Sequence, residues 1–74
     1  MSKADEMFKE IGYTNKEYNF NKTIVTFQNP DEDYEISFNL IDKTIEIFEI
    51  KNYITMQELQ AINEKCKELG WMEE

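Results

Sequence analysis

Four side chains that carry oxygen atoms alternate along one short stretch of the sequence, with a spacing that calcium-binding loops share. Asn29, Asp31, Asp33 and Glu35 stand two residues apart. An EF-hand loop also needs a central glycine and a glutamate at its twelfth position. The stretch has no glycine, and Pro30 stands near its start. We therefore interpret it as an acidic hairpin turn, and we expect neither a metal ion nor another cofactor.

The single cysteine, Cys66, is the next candidate for chemistry. A nucleophilic cysteine needs a depressed pKa, usually with the help of a histidine, and a zinc site needs several thiol or imidazole ligands. The chain has no histidine and no second cysteine. Because Cys66 also falls within an apolar seam of a predicted helix, we interpret it as a packing residue.

The sixteen Asp and Glu residues raise the question of a catalytic carboxylate pair, as in glycosidases. Such a pair needs a substrate cleft and one acid held in an apolar pocket. A domain of 74 residues leaves little room for a pocket of roughly 300 Å³ or more. The sequence therefore favours a protein that is not an enzyme, with a small enzyme or metal-binding module as a second alternative.

The charge balance is strongly acidic. Sixteen Asp and Glu face eight Lys, the formal net charge is -8, and arginine is absent. Lys and Arg supply most of the affinity for nucleic-acid phosphates, so this chain would repel DNA and RNA and we expect no direct binding. The acidic residues either keep the protein in solution or imitate the charges of a nucleic acid toward a basic partner.

The distribution of apolar residues bears on where the protein works. No apolar run approaches the roughly 18 residues of a membrane span. The start MSKADEM lacks the apolar segment of a signal peptide. An unpaired cysteine is also compatible with a reducing compartment, where thiols stay reduced. We expect a cytoplasmic protein that has no contact with a membrane.

Two near-identical stretches, KEIGY at residues 9–13 and KELGW at residues 67–71, mark the ends of two predicted helices. Each has an apolar residue, a glycine and a large aromatic, which is the order of a Schellman ending. In that ending the aromatic packs back on the last helical turn. Helices are therefore predicted at residues 3–11 and 56–69. A duplicated site is the alternative, but the residues that precede the two stretches share only helical character.

The second helix is the better specified of the two. Thr55 and Glu58 form a predicted capping box, and Ile54 and Leu59 are placed to form a hydrophobic staple. Residues at helical spacing predict the seam that faces the core: Leu59, Ile62, Cys66 and Leu69. The first helix has a comparable stripe: Ala4, Met7, Phe8 and Ile11.

Between the helices the pattern is that of strands. Residues 14–22 are polar and predict a loop that leads into a short strand. Residues 23–28 are β-rich, and residues 29–33 have the composition of a turn. Over residues 34–40 apolar and polar side chains alternate cleanly, which predicts a half-buried antiparallel strand.

Residues 44–50 predict a further strand whose register is ambiguous. Ile45 and Ile47 fit one face, whereas Phe48 and Ile50 fit the other. A bulge near Phe48 or burial on both faces would resolve the ambiguity, and the sequence does not choose between them.

These elements predict one domain, residues 1–74, of the α+β class. An N-terminal helix precedes an antiparallel meander of three to four strands, and a C-terminal helix packs on one sheet face. The open face and the acidic turn are then the expected interaction surface. Its residues are Asp31, Glu32, Asp33, Glu35, Ser37, Asn39 and Glu46.

Aromatic residues outside the predicted elements are a further candidate for contacts. Tyr and Trp are enriched in interface hot spots, although a small core also recruits them as lids. The residues concerned are Tyr13, Tyr18, Phe20, Tyr53 and Trp71. An exposed strand edge would allow pairing with a partner or with a second copy, so a homodimer formed through a sheet edge is one alternative.

Two longer stretches near the ends of the chain are MSKADEMFKEIGY and ITMQELQAINEKCKELGW. They resemble a group of short proteins encoded by phages and prophages of Gram-positive bacteria, whose members begin MSKA…MFEELGY and end ITMQELQAINEKVKELGW. Cys66 stands where valine is usual, which fits a packing role. The resemblance implies an infected or lysogenic cell as the setting, and it carries over no functional residue.

The sequence therefore leads to the hypothesis of a non-catalytic, acidic, phage-type interaction protein that binds a host or phage protein in the host cytoplasm. The alternative is a nucleic-acid mimic that inhibits a host defence or DNA-processing enzyme. Binding by a mimic would weaken steeply with salt, whereas binding through an apolar surface would respond little.

Overall fold

A computed structural model describes residues 2–16 and 23–72, and its elements are those of an α+β domain. Their order is α1 (Lys3–Glu10), β1 (Thr14–Lys16), β2 (Ile24–Asn29), β3 (Tyr34–Asn39), β4 (Thr44–Phe48) and α2 (Met56–Glu68). The predicted fold class is confirmed: along the chain, one helix precedes the antiparallel strands and one helix follows them. Tyr18 and Phe20 lie outside the described residues.

The four strands form one antiparallel sheet in the order β1-β2-β3-β4. Residues paired across an antiparallel ladder point to the same face of the sheet. The rows that face the helices are apolar: Phe27, Ile36 and Ile47, and beside them Val25, Phe38 and Ile45. The alternation predicted for residues 34–40 is confirmed over β3, whose even-numbered residues face the core.

The register of β4 is resolved by this pairing. Ile45 and Ile47 lie on the helix-facing side, and Phe48 pairs with Glu35 on the opposite side. The ladder between β3 and β4 runs through consecutive residues without a bulge, and Phe48 is 56% exposed. Neither of the two expected resolutions, a bulge or burial on both faces, is therefore present.

The core lies between the sheet and the helices and is largely aromatic. Phe8 of α1 stacks on Phe27 of β2 with ring centroids 4.1 Å apart, and it meets Phe38 of β3 edge-on at 6.2 Å. Helix α2 contributes Ala61 and Ile62 to the same cluster. Both helices thus bury their apolar residues against one side of the sheet, which fixes the orientation of every strand side chain.

Both helices end in the predicted Schellman motif. The N–H of Tyr13 donates to the carbonyl of Phe8, and the N–H of Trp71 donates to the carbonyl of Cys66, each at 2.9 Å. The glycine before each aromatic has a positive φ, +92° in the first case and +77° in the second. Tyr13 is buried and Trp71 packs against the core. The repeated pentapeptide is one capping solution used twice.

The buried face of α2 differs from the predicted seam. Ile62 and Cys66 are buried as expected, but Leu59 is 41% exposed. The helix turns Glu58 and Lys65 inward instead, and both are buried. Their side chains find oppositely charged or hydrogen-bonding partners, which offsets the cost of removing two charges from water.

Lys65 lies at the contact of the two helices. Its ammonium is 3.6 Å from Oδ1 of Asp5, forms an ion pair with Glu68 and lies 5.7 Å from the ring centroid of Phe27. Leu69, the last residue of the predicted seam, packs against the core as expected. On the buried face of α2, the charged Lys65 therefore lies among the apolar contacts of Ile62, Cys66 and Leu69.

The two hairpin turns that lie within the described residues, β2–β3 and β3–β4, share one construction. In each, an asparagine Oδ1 accepts hydrogen bonds from the backbone N–H groups two and three residues later, in one turn from Asn29 and in the other from Asn39. Four residues after each asparagine comes a residue in the left-handed region, Asp33 with φ +59° and Lys43 with φ +58°. The acidic turn predicted at residues 29–33 is confirmed, and its geometry places Asp33 beside the end of β4.

Candidate interaction surface

Strand β4 forms one edge of the sheet, and it is the centre of the candidate surface. One side of β4 pairs with β3, and no strand among residues 2–16 and 23–72 pairs with its other side. The backbone N–H and C=O groups along that side are therefore available to another strand.

Large apolar side chains are exposed at the end of this edge. Phe48 is 56% exposed and Ile50 is 89% exposed, and Ile47 is exposed beside them. Together with Asp33 and Glu49 they line an open cavity of about 330 Å³. We call Ile47, Phe48, Ile50 and Asp33 the β4 surface.

Glu49 points inward, although both of its neighbours, Phe48 and Ile50, are exposed. Phe48 is the last residue of β4 and pairs with Glu35 on the face away from the helices, so the next side chain turns toward the other side. The side chain of Glu49 is only 2% exposed, and its Oε1 lies within hydrogen-bond distance, 2.9 Å, of the hydroxyl oxygen of Tyr13. A carboxylate thus occupies an inward position between two exposed apolar residues.

Glu49 belongs to a buried polar cluster formed by Tyr13, Glu49, Lys51 and Glu58. The hydroxyl of Tyr13 donates to Oε2 of Glu58 at 2.7 Å. The ammonium of Lys51 forms ion pairs with Glu58 and, at 3.8 Å, with Glu49. Oε1 of Glu58 further accepts the backbone N–H of Thr55, and together with the reciprocal bond this completes the predicted capping box.

The two carboxylates of the cluster have pKa values shifted in opposite directions. Burial by itself raises the pKa of Glu58, but hydrogen bonds from Lys51, Thr55 and Tyr13 outweigh it and hold the pKa at about 2. For Glu49 burial is the largest cause and raises the pKa, and the nearby charge of Glu58 raises it further against the opposing effect of Tyr13 and Lys51. Glu58 is the ionised member of the pair, and Glu49 takes up a proton more readily.

This asymmetry fits the hydrogen-bonding capacity of the tyrosine. A phenol hydroxyl has one proton to donate and an oxygen that accepts. When Glu49 is protonated, it donates to the oxygen of Tyr13 while Tyr13 donates to Glu58, and every group then has a partner. Burial and the two acidic neighbours raise the pKa of Tyr13 as well, so its proton stays in place.

A groove of about 420 Å³ lies over this cluster. Its walls include Tyr34 and Tyr53, whose ring centroids lie 4.9 and 5.0 Å from the ammonium of Lys51. The expectation that so small a domain has little room for such a pocket is therefore wrong. The side chain of Glu58 on the groove floor is only 4% exposed and already accepts bonds from its neighbours, so the groove presents no unpaired carboxylate there.

No family model, no curated protein and no solved structure matches this chain. The surface must therefore be interpreted from its own residues. Among the described residues no helix is long and apolar enough to cross a membrane. In the same part of the chain no three Cys, Asp or Glu side chains gather where they could hold a metal ion.

The residues predicted to form the interaction surface fall into two groups. Four of them are exposed: Asp31, Glu32, Asp33 and Glu46. The other three are tied into the sheet, since Glu35 accepts a bond from Gln28, Asn39 caps the second turn, and buried Ser37 has its hydroxyl 3.0 Å from that of Thr26. Of the seven, Asp33 is the one that lines the cavity beside β4.

The aromatic candidates also divide. Tyr13 is buried in the core, and Trp71 packs on Phe38 with ring centroids 6.2 Å apart, so both serve as lids of the core. Tyr53 is exposed over the groove. Cys66 is buried as predicted, and burial raises the pKa of its thiol, which disfavours the reactive thiolate.

Sequence reasoning did not identify the buried polar cluster or the apolar part of the β4 surface. The signal for the surface was the conflict within TIEIFEI, where two pairs of apolar residues compete for the core face. Nothing in the sequence indicated that Glu49, an acidic residue between Phe48 and Ile50, would be buried. The partners of Glu49 are distant in sequence, and only the fold brings them to it.

Proposed function

We propose that this protein is a non-catalytic interaction protein that binds another protein through the β4 surface. The observation that supports the proposal is the outward display of Phe48 and Ile50 next to the free edge of β4. Contiguous exposed apolar groups beside polar ones are typical of protein-binding sites.

The display has a cost in stability. Burial of a Phe or Ile side chain contributes about 1.5–3 kcal/mol, and burial of a carboxylate has a cost. The observed register packs Ile45 against the core and buries the carboxylate of Glu49. It leaves Phe48 and Ile50 in water, whereas the opposite register would turn Ile45 and Ile47 away from the core. Two large exposed apolar side chains on either side of a buried carboxylate depart from simple patterning, and such departures are expected at functional positions.

The charge of the protein supports a partner with basic character. Asp33 lines the cavity, and the exposed Glu46 precedes Phe48 on the same face of β4. A net charge of -8 attracts a basic surface from a distance and aligns it before contact. The resemblance to phage-encoded proteins suggests a host or phage protein as the partner, in the cytoplasm of the infected cell.

A pull-down with matched variants tests the proposal. The bait is the tagged protein in a lysate of a Gram-positive bacterium, compared with the double variant Phe48→Ser, Ile50→Ser. The control is Ile41→Ser, Met72→Ser, which removes two other exposed apolar side chains. We expect the wild type and the control to retain a partner that the Phe48/Ile50 variant loses.

Two results would contradict the proposal. One is retention of the same partner by the Phe48/Ile50 variant. The other is binding that depends on Asp31 and Glu32 alone and disappears at high salt, which would favour the nucleic-acid mimic. Circular dichroism of each variant establishes that it is folded before the comparison is made.

A further inference from the structure

We infer that the partner of the β4 surface is an extended, basic segment that adds to β4 as a fifth strand, with lysine or arginine alternating with apolar residues. This inference rests on the proposed function and specifies the chemistry of its partner. It follows from the free edge, the cavity and the charges around them.

The edge of β4 lacks three of the features that prevent strand addition. Proteins protect edge strands with short length, charged side chains, lysine above all, prolines, bulges or a covering element. Thr44–Phe48 contains neither proline nor lysine, Glu46 is its one charged residue, and the strand pairs with β3 at consecutive positions without a bulge. A regular edge is what β-augmentation requires, because main-chain hydrogen bonds then supply affinity for an extended segment, and the charge of Glu46 restricts which segments can add.

The side chains on β4 then define what the added strand must carry. Glu46 and Phe48 occupy alternate positions of β4 and so present an acid and an aromatic group along one face, and the exposed Ile50 follows just beyond the strand. Residues directly opposite each other on paired strands interact, and opposite charges or two apolar groups are favourable. A partner strand therefore gains most from a basic residue opposite Glu46 and an apolar residue opposite Phe48.

The open cavity beside the edge strengthens the preference for a basic residue. Its walls are apolar at Ile47, Phe48 and Ile50 and acidic at Asp33. A lysine or arginine side chain has an apolar stem and a cationic end, so it can cover the apolar wall while its charge reaches the carboxylate. A wholly apolar side chain would leave Asp33 without a counter-charge.

Charge also decides against a second copy of this chain as the occupant. Pairing of two β4 strands would bring together two molecules that each carry a net charge of -8, with Asp33 and Glu46 of both near the interface. Like charges across paired strands are destabilising. The sequence left a homodimer through this edge as an alternative. Detection of such a dimer in the test below would contradict the inference.

The probe is a ten-residue synthetic peptide, blocked at both ends, in which lysine alternates with valine. A peptide with glutamate in place of lysine is the charge control, and one of the lysine–valine composition with two central prolines is the strand control. Binding is followed in the uniformly ¹⁵N-labelled full chain by amide chemical shifts and by hydrogen exchange of residues 44–50.

We expect the lysine–valine peptide to shift the amides of β4 and to slow their exchange, and the two control peptides to do neither. In the double variant Asp33→Asn, Glu46→Gln the affinity should fall by about threefold to tenfold and depend less on salt. Asparagine tolerates the left-handed conformation at position 33, so this variant retains the turn.

The inference is overturned if the glutamate or proline peptide binds as well as the lysine–valine peptide, if the shifts lie away from β4, or if light scattering finds a β4-dependent dimer. Loss of the lysate partner in the Phe48/Ile50 variant, together with no peptide binding at β4, would overturn the strand inference and leave the proposed function standing. Retention of the lysate partner by that variant would overturn the proposed function itself.

Discussion

The hydroxyl of Tyr13 donates a 2.7 Å hydrogen bond to Oε2 of Glu58, and this bond joins the end of one helix to the beginning of the other. Tyr13 is the aromatic that closes the Schellman motif of α1, and Glu58 is the acid of the α2 capping box. Two local motifs, each readable in the sequence, therefore meet in a buried polar contact. The bond also leads to Glu49, whose inward position displays the β4 surface.

Replacing Tyr13 by phenylalanine should lower the free energy of unfolding by about 1.5–3 kcal/mol, the range for a hydrogen bond to a charged group. The ring still fills its place in the core, but Glu58 loses its phenol donor and Glu49 loses the hydroxyl as a hydrogen-bond partner. Urea denaturation at pH 7 measures the change. Tyr53→Phe is the matched control, because Tyr53 is exposed and its replacement should alter stability by less than about 0.5 kcal/mol.

Stability should decrease as the pH falls from about 4.5 to about 2, because of Glu58. Its pKa is about 2 in the folded protein and 4.5 without its partners, as in the unfolded chain. The unfolded chain therefore binds more protons than the folded protein in this interval. Its contribution is fully present above the unfolded pKa and is lost as the pH approaches the folded pKa. Urea denaturation at several pH values measures this. Glu58→Gln should flatten the acid limb, and an unchanged limb in that variant would contradict the assignment.

Replacing Glu49 by glutamine should maintain or raise stability at pH 7, in contrast to Glu58→Gln, which should lower it. The folded pKa of Glu49 is raised, so its pH dependence is opposite to that of Glu58. The stability that protonated Glu49 contributes is present below its unfolded pKa and is lost as the pH rises through the folded pKa. Glutamine resembles the protonated acid and removes this loss. Thermal unfolding of both variants at pH 7 and pH 5 provides the comparison. Equal losses in the two variants would show that Glu49 is held as an ion.

Gly12→Ala should destabilise the protein more than Gly70→Ala. Both glycines have positive φ, where an L-residue costs about 1–2 kcal/mol. A Cβ at position 12 would also lie 3.1 Å from Nδ2 of Asn29, whose side chain holds the first hairpin turn, whereas a Cβ at position 70 would meet no atom within 4 Å. Urea denaturation of the pair isolates this contact, since the backbone penalty is common to both. Equal effects would mean that the Asn29 side chain moves aside at no cost.

The features that the sequence predicted well are those decided by neighbouring residues. The Schellman endings, the capping box of α2 and the alternation of β3 each depend on residues within a few positions of one another. Short-range geometry determines such motifs, and it requires residue types that can be recognised in the sequence. For the same reason the helix ends at residues 10 and 68 lie within one residue of the prediction.

The features that the sequence left open are those decided by distant residues. The face that α2 buries is set by partners such as Asp5 and Tyr13, so Glu58 and Lys65 lie inward where periodicity alone favoured Leu59. Apolar periodicity treats every charge as exposed, and it has no means of recognising a buried pair. The tertiary structure supplies the opposite charge that makes burial tolerable.

The sequence by itself therefore determined the helices, three of the strands, the turns and the acidic character of this protein. Only the tertiary structure decided which way residues 48–50 face. In TIEIFEI two registers bury similar apolar groups, and local propensity does not separate them. Packing against β3 together with the bonds of Glu49 to the buried polar cluster selects one register, and that choice places Phe48 and Ile50 on the surface.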